Sequence, residues 1–441
     1  MYTFEIFPKL NIFFLGAFML LLDYLIEYNR WMNLIGIAVI LSLLWGASAK
    51  RSEINYKLVF NGLLMQFLIG FFVLKTTIGQ KIVGTIADLV SALYICAGQG
   101  SAFIFGSLVN PDSPWGFIFG FQVLPIIIFF GAFMAFLFHI GLVQKAVSVI
   151  SYVIRPLLGT SGAETICAIA NSFLGQTEAP LLIRHYLPTM TKSEILVVMI
   201  SGMATISGAI LVVFASMGVP TMHLLSASVM AIPTSIVVAK ILYPETEKPK
   251  TMAGVSAEFE DTATNVLDAI AAGTLDGLQL ALNVAAMLIS FLALLALINY
   301  TLGFTTHGIN TLFMYLGVAW QIPVITIELI FAYLFAPFGY LLGFTGHEAL
   351  LAGELIGTKV AVNEVVAYSQ MVTMPLSERT VDILTYALCG FSNFSCIGIQ
   401  IGGIGALVPQ KRSILTEFGF RTVFGAALAN ILSAMVAGLL L

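Results

Sequence analysis

Long apolar runs are the feature of this sequence that most limits what it can fold into. A helix needs about 17–25 mostly apolar residues to cross the hydrocarbon core of a bilayer. A succession of stretches near this length runs through the 441 residues, with approximate bounds Leu10–Ile26, Met32–Ala47, Leu58–Leu74, Phe117–Leu142, Leu196–Met217, Leu224–Leu242, Leu278–Leu302, Val324–Leu342, Ile383–Val408 and Phe420–Leu441. With 59% hydrophobic and only 10% charged residues, the chain has too little polar surface for a water-soluble globule. We therefore predict an all-α polytopic membrane protein.

Charge and motif patterns exclude several other classes of protein. The net charge is only −4 and the charged residues fall mostly between the apolar runs, so no basic face exists for nucleic acid. The stretch "HEALL" starts like a zinc-protease helix at His347, but Leu351 stands where the second histidine ligand belongs. The cysteines lack metal-site or disulfide spacing. The sequence predicts no zinc site and no intramembrane protease.

Lysine and arginine in the short connectors predict the orientation in the membrane, because such connectors stay cytoplasmic. The basic connectors are "SAKRSEINYK", "YPETEKPK" and "PQKRS". Placing all three inside gives a cytoplasmic N-terminus and an outward C-terminus, and it requires that Val324–Leu342 lie along the outer face. The mixed polarity of 75–106 and of 258–280 is typical of helices that lie along an interface.

Two apolar segments are too interrupted by glycine and proline to form one clean span. We name them the first hairpin segment (159–190) and the second hairpin segment (343–375). Non-helical backbone at membrane depth is tolerated only where protein or a water-filled cavity satisfies it, so each segment is predicted to be a re-entrant helical hairpin. Each precedes an apolar run with a polar middle, the first broken helix (193–217) and the second broken helix (381–408).

This recurrence predicts two inverted repeats, the architecture of many secondary transporters, with a binding site where the broken elements meet. The repeats cover 117–250 and 278–441. The predicted organisation is completed by an extra N-terminal membrane segment (1–31), scaffold helices with an interfacial helix (32–116) and a second interfacial helix (251–277).

Carboxylates in the hairpin segments are the main candidates for function. A charged side chain at the bilayer centre costs about 2.5–3.5 kcal/mol on insertion scales. Glu178 follows Gln176 and Thr177, and an Asn363–Glu364 pair recurs in the second hairpin segment. A polar contact that pins a hairpin tip is the alternative explanation, and for Glu348 and Glu354 it is the favoured one.

Four motifs resemble those of the concentrative nucleoside transporters, which are ion-coupled importers. They are "GQTEAPLL" (175–182), "LYPETEKP" (242–249), "NEVVAYSQ" (363–370) and "LCGFSNFSCIGIQIGGIG" (388–405). The resemblance runs from about Met32 to the C-terminus in the family's order. It implies a homotrimer in which a scaffold, including the helices near Leu58 and Leu278, holds a transport domain. That domain would move substrate across the bilayer as an elevator.

The resemblance also implies a nucleoside site, for example for uridine or adenosine. Gln176, Thr177 and Glu178 would read the base, and Glu364 with Asn393 would hold the ribose. Phe391 would lie against the base, and Ile210 would line the pocket wall. Cys396 stands where some bacterial members have a serine. A carboxylate suits the two ribose hydroxyls, and glutamine and threonine complement a base edge. Phe391 alone would equally suit ordinary helix packing.

The resemblance implies a sodium site as well. Asn171 and Thr205 would supply side-chain oxygens, and Leu174 and Ile206 backbone carbonyls; sodium, a hard cation, prefers oxygen ligands. Alternatively, Asn171 caps a helix and the Thr205 hydroxyl bonds back to its own helix. We predict a sodium-coupled importer in a bacterial cytoplasmic membrane. The alternatives are a proton-coupled symporter, with Glu178 or Glu364 as relay, and a passive channel.

Overall fold

The computed structural model describes residues 19, 22–110, 113–116, 118–252, 263–317 and 320–441 of the chain. Helices dominate these residues, which confirms the all-α prediction. In chain order the α-helices are α1 Arg30–Gly46, α2 Tyr56–Lys75, α3 Thr77–Phe105, α4 Phe119–Gln122, α5 Leu124–His139, α6 Leu142–Leu158, α7 Gly162–Ala170, α8 Lys192–Ala204, α9 Gly208–Ser216, α10 Thr221–Leu242, α11 Val266–Tyr315, α12 Ile327–Leu341, α13 Gly346–Ala361, α14 Glu364–Met371, α15 Glu378–Leu388, α16 Ser395–Leu407 and α17 Arg412–Leu440.

The described part of the chain contains 8 helices long and apolar enough to cross a bilayer, which confirms a multi-pass membrane protein. A ninth would result if α12 and α13, which meet at a bend of 115°, formed one span. The 15 residues of α12 alone extend over roughly 22 Å, less than the hydrocarbon thickness of about 30 Å. The outer-face placement of Val324–Leu342 stays a prediction.

Two segments expected to be interfacial form long helices. The predicted boundary at residue 277 is not a helix end, because α11 runs unbroken through 50 residues. Its sequence is rich in alanine and leucine and contains no proline, so the acidic residues near its start do not interrupt the helix. The length of α3 is also sufficient for a span. The predicted first apolar run lies mostly outside the described residues.

The core consists of α8, α9, α10 and residues 422–440 of α17, which are mostly buried, whereas α3 and α11 are mostly exposed. The C-terminal helix α17 packs against α1, α2, α8, α10, α15 and α16. Outside this core, α5 packs closely on α11 through small residues. A Cβ atom built on Gly131 would lie 2.5 Å from the Gly273 carbonyl oxygen, so the two backbones are in direct contact there.

Buried charges hold the base of the first hairpin segment. Capping boxes fix the starts of α7 and α8, with Glu164 and Glu194 as their acidic residues. The Lys240 ammonium at the end of α10 lies 2.8 Å from Glu164 Oε2 and 3.3 Å from Glu245 Oε2. Because a buried carboxylate needs a partner, these contacts tie the start of α7 to α10.

Both predicted broken helices are interrupted where the sequence is polar. The first break (205–207) separates α8 from α9, and the second break (389–394) separates α15 from α16. In the second hairpin segment, α13 and α14 are separated at 362–363, and the Asn363 side chain caps α14 by accepting from Val366 N at 2.9 Å. Glu348 accepts from Ser377 N at 3.0 Å and from Thr380 Oγ1 at 2.6 Å, a structural contact at the start of α15.

Candidate functional site

The two helix breaks touch each other in the buried centre of the protein. Phe391 N in the second break donates to the Thr205 carbonyl in the first, at 3.3 Å. The Asn430 amide on α17 donates to the carbonyls of Ala204 and Cys389, both at 2.7 Å. Carbonyls at helix ends lack partners within their own helix. The breaks therefore bring several such carbonyls to one place.

The residues predicted to bind ribose form a connected group. Glu364 is the first residue of α14 and is 4% exposed, and its Oε2 accepts from Asn393 Nδ2 at 3.1 Å. Asn393 Oδ1 accepts in turn from Cys396 N at 3.1 Å and from Ser395 Oγ at 2.6 Å. A carboxylate whose position is fixed by a neutral amide can accept further hydrogen bonds from a diol.

Gln176 joins the first hairpin segment to this group. Its Nε2 lies 3.2 Å from Cys396 Sγ, and among the described residues its buried Oε1 has no hydrogen-bond partner. The adjacent Thr177 packs against α16, where a Cβ built on Gly403 would lie 2.4 Å from Thr177 Cγ2. An unpartnered buried oxygen costs about 1–3 kcal/mol, so a ligand donor at Gln176 Oε1 would recover that free energy.

Thr177 and Glu178 face a different space. They line a cavity of about 490 Å³ whose opposite wall is formed by α5 and α11, including Asp276 and Asn283. Glu178 is exposed there, and its Oε2 accepts from Gly175 N at 3.2 Å. The volume lies within the range of ligand sites. Of the residues predicted to read the base, Gln176 therefore lies with the ribose group and the other two lie on the cavity.

Two predicted apolar contacts lie beside these groups. Ile210 is 4% exposed in the first turn of α9, and its neighbours Gly208 and Ala209 line the cavity whereas Ile210 does not. Phe391 is half-buried in the second break, two residues before Asn393. The structure thus places Phe391 at the ribose group and Ile210 behind the cavity wall.

Two of the four predicted sodium ligands contact Ser201. Asn171 is fully buried at the end of α7; its Nδ2 donates to Ser201 Oγ at 2.9 Å, and its Oδ1 has no partner among the described residues. The Thr205 hydroxyl donates to the Ser201 carbonyl at 2.8 Å and keeps its lone pairs. The Asn171 oxygen thus accepts none of the bonds of a cap, whereas Thr205 does bond back to its own helix. These uncharged oxygens suit a monovalent hard cation.

The backbone positions of the other two predicted ligands are held close to this group. Leu174 and Ile206 are buried in the first hairpin segment and in the first break. Gly208 N donates to the Phe173 carbonyl at 3.0 Å, which joins the two segments. Ligation by the Leu174 and Ile206 carbonyls stays a prediction.

Comparisons with known proteins identify the family. Residues 35–108 and 223–438 match the families described as the N-terminus and C-terminus of Na+ dependent nucleoside transporters, and 120–221 match the family described as nucleoside recognition. An uncharacterized transporter of Haemophilus influenzae is 40% identical over 92% of this chain and 97% of its own length. The chain belongs to the concentrative nucleoside transporter family. Its relatives are transporters and not enzymes.

Further relatives agree with this assignment. The nucleoside permease NupC of Helicobacter pylori is 36% identical over 93% of this chain and 98% of its own. The solved structure of the transporter CNTnw in an inward-facing substrate-bound state superposes with a TM-score of 0.84 at 36% identity, covering 93% and 98% of the two chains. The predicted choice of sodium as coupling ion is confirmed by the family's Na+ dependence.

The transporter also has central polar residues that the sequence analysis did not select. Lys359, Gln400 and Asn430 are all at least 99% buried. Gln400 donates to the Met199 carbonyl at 2.9 Å, one turn along α16 from Cys396. Each lies in a mostly apolar stretch, and the rule that intramembrane polar residues are expensive would have selected all three.

Proposed function

We propose that the protein is a sodium-coupled symporter that imports nucleosides across a bacterial cytoplasmic membrane. One observation supports this above the others. The ribose group of Glu364, Asn393, Cys396 and Gln176 lies beside Phe391 in the second break. Phe391 N donates to the carbonyl of Thr205 in the first break, and Thr205 belongs to the predicted sodium site. Substrate and ion would therefore act on the same pair of helix ends.

The chemistry of the ribose group favours a nucleoside. The Glu364 carboxylate can accept from both hydroxyls of a ribose in charge-assisted hydrogen bonds, while Asn393 fixes its orientation. Within the described residues the Gln176 amide oxygen has no hydrogen-bond partner, which suits a donor on the base edge. The half-buried Phe391 provides an apolar surface against the flat face of the base.

Sodium would enter where Asn171 Oδ1 and the first break offer oxygens. Moving one charge through a potential of 100 mV releases about 2.3 kcal/mol, enough for roughly 50-fold accumulation before any sodium gradient is added. One sodium ion per nucleoside would therefore be sufficient for concentrative uptake.

An elevator movement is proposed for the crossing step. The mostly buried helices α8, α9, α10 and α17 would move together with both hairpin segments as the transport domain, and the exposed α3 and α11 would belong to the scaffold of a homotrimer. The cavity between Glu178 and α11 lies at the boundary of these two groups. A transport domain that slides past α5 and α11 would open and close this cavity.

The test is uptake of radiolabelled uridine into proteoliposomes under three conditions: an inward sodium gradient, equimolar potassium, and an inward proton gradient. Concentrative uptake only with sodium is the expected result. Uptake driven by protons alone would discard the site at Asn171 and Thr205. Failure to accumulate uridine, adenosine or inosine under every gradient would overturn the proposed function, and uptake without saturable counterflow would indicate a channel.

A further inference from the structure

A buried lysine lies at the junction of the two helix breaks. Lys359 is 1% exposed in the last turn of α13, and its ammonium donates to Asn430 Oδ1 at 2.6 Å and to the Ala387 carbonyl at 2.9 Å. Within the described part of the chain, no carboxylate oxygen lies within the 4.0 Å of an ion pair with it. Neutral oxygens at a helix end hold this ammonium, as they would hold a monovalent metal cation.

Asn430 connects this ammonium to both breaks. Its two amide hydrogens go to the Ala204 carbonyl, at the end of α8, and to the Cys389 carbonyl, just past the end of α15. Its oxygen accepts from Lys359 and, at 3.2 Å, from Ser392 Oγ. All four hydrogen-bonding positions of the amide are therefore occupied, and a shift at one helix end changes the bonds at the other.

The packing around Asn430 leaves no room for it to relax. A Cβ atom built on Gly390 would lie 2.5 Å from Asn430 Oδ1 and 2.9 Å from the Ala204 carbonyl. Only a residue without a side chain allows α17 and the two breaks to approach this closely. A displacement of Ala204 therefore displaces Cys389 through Asn430, and Cys389 lies two residues before Phe391.

We propose that Lys359 and Asn430 form a fixed-cation clamp that couples sodium binding at the first break to nucleoside binding at the second. The Lys359 ammonium occupies, at the ends of α13 and α15, the place that sodium would occupy at the ends of α7 and α8. This inference rests on the proposed function. Both residues are positioning residues, because they act through the break carbonyls and do not touch the nucleoside.

The decisive quantity is the coupling factor, defined as the Kd for uridine without sodium divided by the Kd with saturating sodium. It is measured by calorimetry on the purified full-length protein, with choline replacing sodium. Energetic coupling between two sites typically gives factors of roughly 5–150, and we expect wild type within that range. Asn430→Asp keeps the acceptor for Lys359 but removes both donors to the breaks, and Lys359→Gln removes the fixed cation. We expect a factor below about 3 for both variants.

A matched control lies one turn away on the same helix. Ser433→Ala removes a buried hydroxyl that contacts Gln66 and Thr234 but neither break, and it is expected to keep the wild-type coupling factor. Variants that bind uridine with unchanged coupling would overturn the clamp and leave the proposed function standing. A wild type that binds no nucleoside would overturn the proposed function, and the clamp with it. If both clamp variants fail to fold, Ser392→Ala takes their place, and an unchanged factor there overturns the clamp.

Chemical rescue separates the cation's role from simple packing. Lys359→Ala removes the atoms of a propylammonium ion, so added propylammonium is expected to restore the coupling factor, whereas 1-propanol, which has nearly the same shape without the charge, is not. Rescue by both compounds equally would show that packing, and not the ammonium charge, supports coupling.

Discussion

Two oxygens beside the helix breaks differ in their hydrogen bonding. At the first break, Asn171 Oδ1 is fully buried and accepts no hydrogen bond among the described residues. At the second break, the Ala387 carbonyl is satisfied by the Lys359 ammonium. An oxygen without a hydrogen-bond partner favours a cation that binds and dissociates. An oxygen that already accepts from a lysine ammonium needs no added ion. The difference suggests why one ion site per chain would be sufficient.

The largest expected effect comes from the carboxylate beside the second break. Glu364→Gln replaces the charge-assisted hydrogen bonds to ribose with neutral ones. Each charge-assisted bond contributes about 1.5–3 kcal/mol, so uridine uptake is expected to fall by at least roughly 100-fold. Proteoliposome uptake measures this. Glu348→Gln is the control, because its carboxylate lies in the same hairpin segment but contacts Ser377 and Thr380, and it should retain uptake. Normal uptake by the Glu364 variant would remove this residue from the site.

The next effect tests the unmet oxygen at the first break. Asn171→Ala removes Oδ1, and the loss of one cation ligand is expected to raise the sodium concentration for half-maximal uptake by about 10-fold or more. Cys167→Ala is the control, because Cys167 makes only a weak 3.7 Å contact with the Asn171 amide. Sodium titration of uptake distinguishes the two variants. An unchanged sodium requirement in the Asn171 variant would move the ion site elsewhere.

The sequence predicts features that lie within one short segment better than contacts between the two breaks. Apolar length and glycine or proline interruptions indicate the breaks, and a carboxylate in an apolar stretch identifies Glu364, because each signal lies within one short segment. The contact of Asn430 with Ala204 and Cys389 joins residues far apart in sequence, and no periodicity shows which helix ends meet. Likewise, the mixed polarity of 258–280 predicts an interfacial helix, although helix-forming residues continue α11 well beyond it.

A smaller effect is expected where the first hairpin segment packs on the second broken helix. Gly403→Ala would place a Cβ atom 2.4 Å from Thr177 Cγ2, so Thr177 must shift at a cost of about 1–3 kcal/mol. We expect a roughly tenfold higher KM for uridine. Its neighbour provides the control, since a Cβ on Gly402 would meet no described atom within 4 Å. Equal KM values for the two variants would show that Thr177 does not press on α16 during binding.

The smallest expected effect concerns the thiol that joins the two regions. Cys396 contacts Gln176 through its sulfur, and a thiol is a weaker hydrogen-bonding group than a hydroxyl. Cys396→Ser is therefore expected to raise the preference for uridine over its 3′-deoxy analogue by about threefold, measured as the ratio of kcat/KM values for uptake. Cys389→Ser is the control, because that thiol lies at 3.9 Å from the Leu224 carbonyl. The same preference in both variants would mean that residue 396 positions Gln176 without sensing the ribose, and the second break would then recognise the sugar through Glu364 and Asn393 alone.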